Sequence, residues 1–207
     1  MMKLFYNTLL IKQRKMQNQN KNNLEYNKKT TLIAINKPRG IICTHKDEFN
    51  RRKVFDLIPK KSLNLIDGKL HSVGRLDYNS QGLLLLTNNS KIKHYLESPK
   101  NKISRIYKVR VQGNINKDIL NKIKKGIKIN NFIYKVISIK LIKGSRSYSW
   151  LLVKLDEGKN QHIRKIFFKF GLSVNKLIRI QYGPYKLSSL EIGAIKFLKP
   201  FKIKINK

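Results

Sequence analysis

The sequence predicts an α+β fold with a mixed, largely antiparallel sheet, flanking helices and a central cleft. Two observations predict it. Segments rich in β-branched and aromatic residues outnumber helical segments, and several are joined by short turns that suit antiparallel hairpins. Single amphipathic helices interrupt the strands rather than following each one, which argues against a doubly wound parallel sheet. With 207 residues the chain is long enough for one domain, or two small lobes, with a buried core.

The strand predictions rest on the alternation of apolar and polar residues and on turn signals at the segment ends. The first strand, Thr31–Asn36, ends at a Lys-Pro-Arg-Gly turn, after which Ile41–Thr44 is a candidate to resume it. A Gly183-Pro184 turn follows the strand Leu177–Tyr182. The remaining predicted pairing segments are Ile103–Gln112, Phe132–Ile142, Ser149–Leu155 and Lys186–Leu198.

The helix predictions rest on apolar residues spaced three and four apart and on capping residues at the ends. The helix Ser90–Glu97 has Ser90 as its predicted N-cap. The amphipathic helix Lys117–Lys125 is closed by Gly126. The other predicted helical segments are Gln161–Phe170 and the short apolar turn or helix Val54–Ile58.

Composition indicates an extended anionic partner. The chain has 46 lysine and arginine residues against 11 aspartate and glutamate residues, a formal net charge of +35. Such a charge favours nucleic acid first and an anionic membrane surface second. Lysine, asparagine and isoleucine are abundant throughout, which is typical of A- and T-rich codon usage, so the charge supports nucleic-acid binding without proving it. No apolar run approaches the roughly 20 residues of a membrane span, so no membrane is expected as a partner.

The two ends of the chain are predicted to lie outside the fold. Residues 1–30 are rich in lysine and asparagine and contain one acid, Glu25. They form either a disordered basic arm or an organelle transit peptide. The predicted domain therefore covers residues 31–200, followed by a basic tail at 201–207. An arm places the protein in the cytoplasm of a bacterium, whereas a transit peptide places it in a mitochondrion or plastid.

The stretch from His71 to Asn88 carries the most unusual chemistry. In this acid-poor chain Asp77 follows Arg75 closely and precedes the apolar run Leu83–Leu86. A carboxylate between a cation and an apolar strand can be desolvated and stay ionised, and so act as a nucleophile. The alternative is a turn aspartate that caps its own backbone.

Several kinds of site are excluded by the absence of their motifs. The sequence has no GxxxxGK[ST] loop, no GxSxG elbow and no HxE with CxxC pair. With Cys43 as the single cysteine, no disulfide within the chain and no cysteine-based metal site can form. Because the four histidines also lack ligand spacing, we expect no metal.

Other candidate residues lie far from Asp77 in sequence. Tyr107 is in a strand with the basic neighbours Arg105, Lys108 and Arg110, a pattern that suits base stacking beside phosphate-binding cations. The common alternative is a tyrosine that packs on the sheet. Arg164, on the flank of a helix, either is solvated or reaches a cleft and pairs with Asp77. Candidate phosphate contacts, each alternatively a solvated surface charge, are Lys37, Arg39, Lys159 and Lys165, with Arg51, Arg52 and Arg146 as further possibilities.

Five segments together resemble a known family. GRLDYNSQGLLLLTN, at 74–88, resembles the signature of the pseudouridine synthases of the small-subunit-rRNA synthase A and large-subunit-rRNA synthase B type. Four more segments match that family in the same order. They are INKPRG at 35–40, RIYKVRV at 105–111, EGKNQHIRKIF at 157–167 and LIRIQYGPYKL at 177–187.

The resemblance implies an isomerase with the pseudouridine synthase fold and a catalytic cleft between two lobes. Asp77 is implied as the catalytic aspartate, which attacks the ribose–base linkage or takes a sugar proton. Arg75 is implied to displace the target base or hold the vacated stack, Tyr107 to stack on the flipped uracil, and Arg164 to pair with Asp77. The implied partner is rRNA, and large-subunit rRNA in particular. We expect the protein to be a monomer and to need no cofactor. The open alternatives are small-subunit rRNA, tRNA, or a non-catalytic RNA-binding or ribosome-assembly role.

Three departures from the family pattern affect these expectations. Residues 1–30 do not resemble the ribosomal-protein-S4-type RNA-binding module that the family commonly carries at its N-terminus. Gln161 and His162 stand where the family usually has arginine and then glutamine or glutamate. Ser80 stands where threonine is frequent. The first departure bears on the choice of target RNA, and the second on the contacts beside Arg164.

Overall fold

A computed structural model describes residues 30–200, which comprise eleven strands and four α-helices. The predicted N-terminal arm, apart from Thr30, and the predicted tail lie outside the described residues. The strands are β1 Leu32–Lys37, β2 His71–Val73, β3 Gln81–Thr87, β4 Arg105–Gln112, β5 Ile127–Ile129, β6 Phe132–Tyr134, β7 Ser138–Gly144, β8 Tyr148–Leu155, β9 Val174–Tyr182, β10 Tyr185–Lys186 and β11 Ile195–Phe197. The helices are α1 Lys60–Leu63, α2 Ser90–Glu97, α3 Lys117–Lys125 and α4 His162–Phe168, with 3₁₀ turns at Val54–Leu57 and Pro99–Asn101.

Nine strands form one mixed sheet, which confirms the predicted fold class. Its order is β11-β1-β3-β9-β4-β8-β7, with β2 beside β3 and β10 beside β9. Every strand pairing in it is antiparallel except β3 with β9, which is parallel and joins Gln81 to Ile178 and Gly82 to Arg179. We call this short pairing the seam. It divides the sheet into an N-terminal half built on β1 and β3 and a C-terminal half built on β4, β7, β8 and β9.

The two half-sheets are packed differently. Both faces of β1 and β3 are covered, because their alternate side chains enter two separate hydrophobic clusters, one of them under α2. In the C-terminal half one face packs under α3 and α4, through residues such as Val109, Leu151 and Phe167. The other side chains of β8, including Trp150, are only partly buried. The C-terminal half-sheet therefore has one packed face and one open face.

Three local predictions are wrong in detail. The N-cap of α2 is Asn89 rather than Ser90, because the Asn89 Oδ1 atom accepts hydrogen bonds from the N–H groups of Lys91 and Ile92. The predicted strand Phe132–Ile142 is two strands, of which the first pairs with β5 in a separate hairpin. Its turn contains Asn130 at φ +52°, a conformation that asparagine tolerates. The segment Ile41–Thr44 forms a single bridge, between Ile42 and Lys53, rather than a strand.

Candidate active site

The loop from Gly74 to Ser80 connects β2 to β3 beside the seam, and we call it the 74–80 loop. Gly74 has φ +66° and Gly82, just after the loop, has φ +105°. Both values lie in a region that side-chain-bearing residues rarely adopt. A Cβ atom on Gly82 would lie 2.8 Å from the backbone nitrogen of Arg179, so glycine also allows β3 and β9 to approach closely. Two glycines with unusual backbone conformations therefore flank this loop.

The backbone of the 74–80 loop is held by hydrogen bonds at six successive carbonyl groups. Three cationic side chains donate to four of them. Lys37 Nζ donates to the carbonyls of Asp77 (3.3 Å) and Ser80 (2.9 Å), Arg179 Nη1 to that of Arg75 (3.4 Å), and Arg164 Nη2 to that of Asn79 (3.3 Å). The Leu76 and Tyr78 carbonyls accept from the Cys43 thiol (3.3 Å) and the Gly40 N–H (2.9 Å). The Gly74 N–H in turn donates to Glu97 Oε1 at 2.7 Å. The loop is therefore fixed on both sides by contacts that do not involve its side chains.

The Asp77 side chain remains free. It is exposed, and none of residues 30–200 forms a hydrogen bond or ion pair with its carboxylate. The expected two-point pair with Arg164 is absent, because that guanidinium instead donates to the carbonyls of Val174 (2.7 Å) and Asn79. The two groups still interact electrostatically: burial lowers the pKa of Arg164, while the Asp77 carboxylate acts in the opposite direction. Asp77 is also exposed to solvent in the free protein, contrary to the expectation that it is desolvated.

Asp77 opens onto a cleft of about 710 Å³ that straddles the seam. Arg75 and Asp77 line it from the N-terminal half, whereas Tyr107 and Lys159 line it from the C-terminal half. Tyr107 is half-buried between the clusters of the two half-sheets. The structure therefore brings Arg75, Asp77 and Tyr107 to one cavity, although the tyrosine lies on a distant strand.

A buried tyrosine between two guanidinium groups forms one wall of the cleft. Tyr182 is 1% exposed, and the Cζ atoms of Arg105 and Arg179 lie 4.7 and 5.0 Å from its ring centroid. Its hydroxyl accepts a hydrogen bond from Arg105 Nη2 (2.8 Å) and donates one to the Leu96 carbonyl (3.0 Å). Burial raises the pKa of Tyr182. The wall thus contains a neutral phenol in contact with two permanent cations.

The sequence did not single out Arg179. It is 2% exposed on β9, opposite Tyr107 in the register, and its Nε donates to the Leu83 carbonyl at 2.7 Å. Its Nη2 atom is buried without a hydrogen-bond partner among the described residues, and Arg179 lines the cleft. The available signal was an arginine flanked by two isoleucines, Ile178 and Ile180, because charged residues are rarely fully buried without a partner.

The four candidate phosphate contacts have different environments in the structure. Lys37 was expected at the surface but is 0% exposed and donates to three carbonyls, so the expectation of a phosphate contact is wrong. Arg39 is exposed near Arg164. Lys159 lines the cleft and pairs with Glu157 at 2.9 Å. Lys165 lies over the ring of Tyr134 and does not line the cleft.

His162, one of the departures from the family pattern, is buried at the edge of the cleft. It is 4% exposed, and its ring meets that of Tyr134 edge-on at a centroid distance of 5.1 Å. Its Nδ1 lies 3.7 Å from Glu157 Oε1. Burial lowers the pKa of His162, and the Glu157 carboxylate partly opposes this.

Two further features bear on the function of residues 30–200. No group of three or more histidine, cysteine, aspartate or glutamate side chains there is placed to hold a metal ion. None of the helices in this part of the chain is both long and apolar enough to span a bilayer.

Known proteins match this chain over most of its described residues. A family model described as RNA pseudouridylate synthase matches residues 31–169. An uncharacterised RNA pseudouridine synthase of Rickettsia prowazekii is 47% identical over 165 residues, 80% of this chain and 67% of that protein. The ribosomal large subunit pseudouridine synthase B of Buchnera aphidicola subsp. Baizongia pistaciae is 39% identical over 166 residues, 80% of this chain and 66% of that protein. The chain thus spans about two thirds of the length of these relatives.

A solved structure agrees with the sequence matches. A crystal structure of a pseudouridylate synthase superposes with a TM-score of 0.71 at 25% identity, covering 86% of this chain and 74% of that one. The family match includes most of the residues that line the cleft, among them those of the 74–80 loop, Tyr107 and the start of α4. On these grounds the chain belongs to the RNA pseudouridylate synthase family, whose members are isomerases.

Proposed function

We propose that this chain isomerises a uridine of large-subunit rRNA to pseudouridine, with Asp77 as the catalytic carboxylate. The observation that carries the proposal is the contrast within the 74–80 loop. Every carbonyl from Arg75 to Ser80 is engaged, while the Asp77 carboxylate is left free at a cleft lined by Tyr107. A group held in this way needs little reorganisation to reach a reacting atom.

The proposed reaction is balanced without a further reactant. The bond between uracil N1 and ribose C1′ breaks, with its electron pair leaving on the base. Asp77 either bonds to C1′ or removes a sugar proton at this step. The detached uracil turns and a bond forms between its C5 and C1′, as the Asp77–C1′ bond breaks or Asp77 returns the sugar proton. The C5 proton is then lost and N1 gains a proton. The product is an isomer of the substrate, so the step consumes no oxidant or reductant.

The cleft residues have distinct proposed roles. Uracil must leave the base stack before a carboxylate can reach its ribose, and Tyr107 offers a ring on which the extruded base stacks. Arg75, exposed at the mouth of the cleft, displaces the base or fills the space that it leaves. Arg164 positions the 74–80 loop through the Asn79 carbonyl and places a positive charge near Asp77. Arg179, which lines the cleft and has an unsatisfied Nη2, places a second positive charge beside the substrate.

The choice of RNA rests on the relatives. Several Buchnera proteins that match this chain are named for the large ribosomal subunit, which supports large-subunit rRNA as the substrate. These relatives are bacterial, which supports the bacterial cytoplasm over an organelle. A single chain provides the whole cleft, so we also propose that a monomer is active. Size-exclusion chromatography with light scattering would contradict this if the active fraction were a stable dimer.

The test is the replacement of Asp77 by asparagine, which keeps the size of the side chain and removes its charge. The rate of tritium release from rRNA labelled at uracil C5 should fall by at least about 10²–10⁴-fold. The control is Asp118→Asn, an exposed acid in the first turn of α3, which should keep the wild-type rate.

Carbodiimide–primer-extension maps of rRNA and tRNA from cells carrying Asp77→Asn identify the target. Loss of a large-subunit signal supports the whole proposal, while loss of a small-subunit or tRNA signal moves the same chemistry to another RNA. If every pseudouridine persists in Asp77→Asn cells while cells lacking the protein show a ribosome-assembly defect, the protein is a non-catalytic RNA-binding factor.

A further inference from the structure

The open face of the C-terminal half-sheet is unlike the rest of the described surface. On β8 the residues Ser149, Leu151, Val153 and Leu155 are buried, so the alternate residues form the other face. The register of β4, β7 and β9 extends this face across four strands, because partners in adjacent strands share a side of the sheet. We call this surface the outer face. Its residues include Lys108, Arg110, Lys140, Lys143, Tyr148, Trp150, Leu152, Lys154, Lys176 and Ile178.

The outer face and the cleft lie on opposite sides of the same sheet. Tyr107 lines the cleft, whereas its neighbour Lys108 projects from the other side, since successive side chains of a strand alternate. Of the basic neighbours expected to assist Tyr107, Arg105 lines the cleft but is buried against Tyr182. Lys108 and Arg110 belong to the outer face and do not reach the cleft. These cations need a different role.

The outer face carries positive charge without compensating acids. Its six cations are spread over all four strands, and the sequences of β4, β7, β8 and β9 contain no aspartate or glutamate. One row across the sheet reads Lys176, Arg110, Trp150 and Lys143 in successive strands. Close like charges without counter-charges are unfavourable in the free protein, and an anionic ligand relieves the repulsion.

Two aromatic rings are set among these cations. Lys108 Nζ lies 5.0 Å from the ring centroid of Trp150, and Arg110 Cζ lies 4.4 Å from that of Tyr148. Both rings are half-buried and so partly accessible. The Arg110 Nε atom is buried without a hydrogen-bond partner among the described residues. Alternating aromatic and cationic groups on a sheet surface suit unpaired bases and the phosphates that join them.

Packing and chemistry favour RNA over a membrane as the occupant. The residues of the outer face belong to none of the hydrophobic clusters of residues 30–200. A membrane-binding surface needs exposed apolar anchors that enter the lipid. On this face the lysines at 108, 140, 143 and 176 are exposed, whereas Tyr148 and Trp150 are half-buried beneath cations.

We propose that the outer face is a second RNA-binding surface, which packs unpaired bases against Tyr148 and Trp150 and neutralises phosphates with Lys108, Lys143 and Lys176. It holds a segment of RNA other than the uridine in the cleft, because the sheet lies between the two sites. This inference rests on the proposed function in one respect, which is that the protein binds RNA.

The first test uses Trp150, the single tryptophan of the chain, as a reporter. The full-length protein is titrated with a single-stranded RNA of about 15 nucleotides that contains only adenine and cytosine. This RNA has no uridine, so it cannot react in the cleft. Saturable quenching of Trp150 fluorescence is the expected result. Binding of this RNA, detected by anisotropy, without any change in Trp150 emission would overturn the proposal.

The second test compares two triple variants of equal charge. Lys108→Gln, Lys143→Gln and Lys176→Gln remove three cations from the outer face. The control, Lys122→Gln, Lys124→Gln and Lys125→Gln, removes three exposed cations from α3, which packs on the other side of the sheet. A lost phosphate contact to single-stranded RNA costs about fourfold in affinity at roughly 0.15 M salt, from a salt slope of about 0.7 per contact. We therefore expect about 50-fold weaker binding for the outer-face variant and a salt slope lower by about 2.

The outcomes separate this inference from the proposed function. On saturating rRNA the outer-face variant should keep the wild-type kcat and show a raised KM. Equal affinities of the two triple variants for RNA would overturn the inference and leave the role of Asp77 untouched. Selective loss of binding to anionic phospholipid vesicles, with RNA affinity unchanged, would assign the face to membranes and also overturn it. If the wild-type protein never releases tritium but the outer-face variant still loses RNA affinity, only the proposed function is refuted.

Discussion

Replacement of Lys37 by methionine tests whether the hydrogen bonds from Lys37 hold the 74–80 loop in position. Methionine has nearly the length of lysine and keeps the buried volume, but it cannot donate hydrogen bonds. The change therefore leaves the carbonyls of Pro38, Asp77 and Ser80 without the Lys37 donor, at original distances of 3.0, 3.3 and 2.9 Å. The Ser80 contact is the most buried of the three.

Two opposing terms set the size of the effect. A buried group left without its partner costs about 1–3 kcal/mol, and two of the three carbonyls belong to the loop. Removal of a buried ammonium ion recovers part of that cost, because a lone charge is expensive to desolvate. We expect a net loss of about 2–3 kcal/mol in the free energy of unfolding, or about 5–10 °C in Tm for a domain of this size. The loop also loses its fixed position, and a displacement of about 1 Å lowers kcat by about 10²-fold.

The pH dependence of stability gives the same prediction a second measurement. Burial lowers the pKa of Lys37 from its usual value of 10.5. Between the lowered pKa and 10.5 the unfolded chain binds more protons at this residue than the folded protein does, so stability rises with pH. The wild type should therefore gain stability relative to Lys37→Met as the pH is raised through this window.

Urea unfolding and tritium release measure the two effects of Lys37→Met, with Lys124→Met on the exposed face of α3 as control. If Lys37→Met matches the wild type in both midpoint and kcat, the reasoning is wrong and the loop is held by its other contacts.

Three further predictions concern the seam and α4. Gly82→Ala should lower the free energy of unfolding by more than about 3 kcal/mol, because its Cβ would collide with the Arg179 backbone. The control Gly68→Ala is also at positive φ but in open space, so it should lose only the free energy of the unfavourable backbone conformation. Equal losses in denaturant titrations would disprove the close approach. The pKa of His162 is lowered by burial, so wild-type stability should fall as the pH drops below about 6.5. His162→Gln should remove that fall in Tm, and parallel wild-type and variant curves would refute the assignment. Arg164→Lys replaces two guanidinium nitrogens, each bonded to its own carbonyl, by one ammonium group, so it should lower kcat far more than Tm. A wild-type kcat would show that this contact does not position the loop.

The sequence predicted the parts of the site that depend on local patterns. The 74–80 loop was identified from an acid between an arginine and an apolar run in a basic chain, and Tyr107 from an alternating strand. Both line the same cleft, as the resemblance implied. The fold class also followed from strand alternation and hairpin turns. Local signals were sufficient here because each of these features is encoded within about ten neighbouring residues.

The parts that failed depend on distant partners. The ammonium group of Lys37 is buried only because the 74–80 loop, 40 residues away, supplies carbonyls for it. Arg179 likewise meets its carbonyl partner 96 positions earlier in the chain. The sequence correctly predicted that the Arg164 guanidinium lies near Asp77, but this group binds the backbone of the loop rather than the Asp77 carboxylate. Sequence patterns report which residue types are present, and they do not report which backbone groups will face them.

We expect the seam to determine when the active protein forms during folding. Within the C-terminal half-sheet, β7 and β8 are antiparallel neighbours that are close in sequence. By contrast, Arg179 bonds to the Leu83 carbonyl across 96 positions, so the chain must close a long loop before this contact is gained. Contacts of such high sequence separation form late. The cleft is therefore completed after most of the secondary structure, and weakening the seam chiefly accelerates unfolding. A variant with weakened seam contacts can keep a native-like circular dichroism spectrum while its activity has a short lifetime on heating.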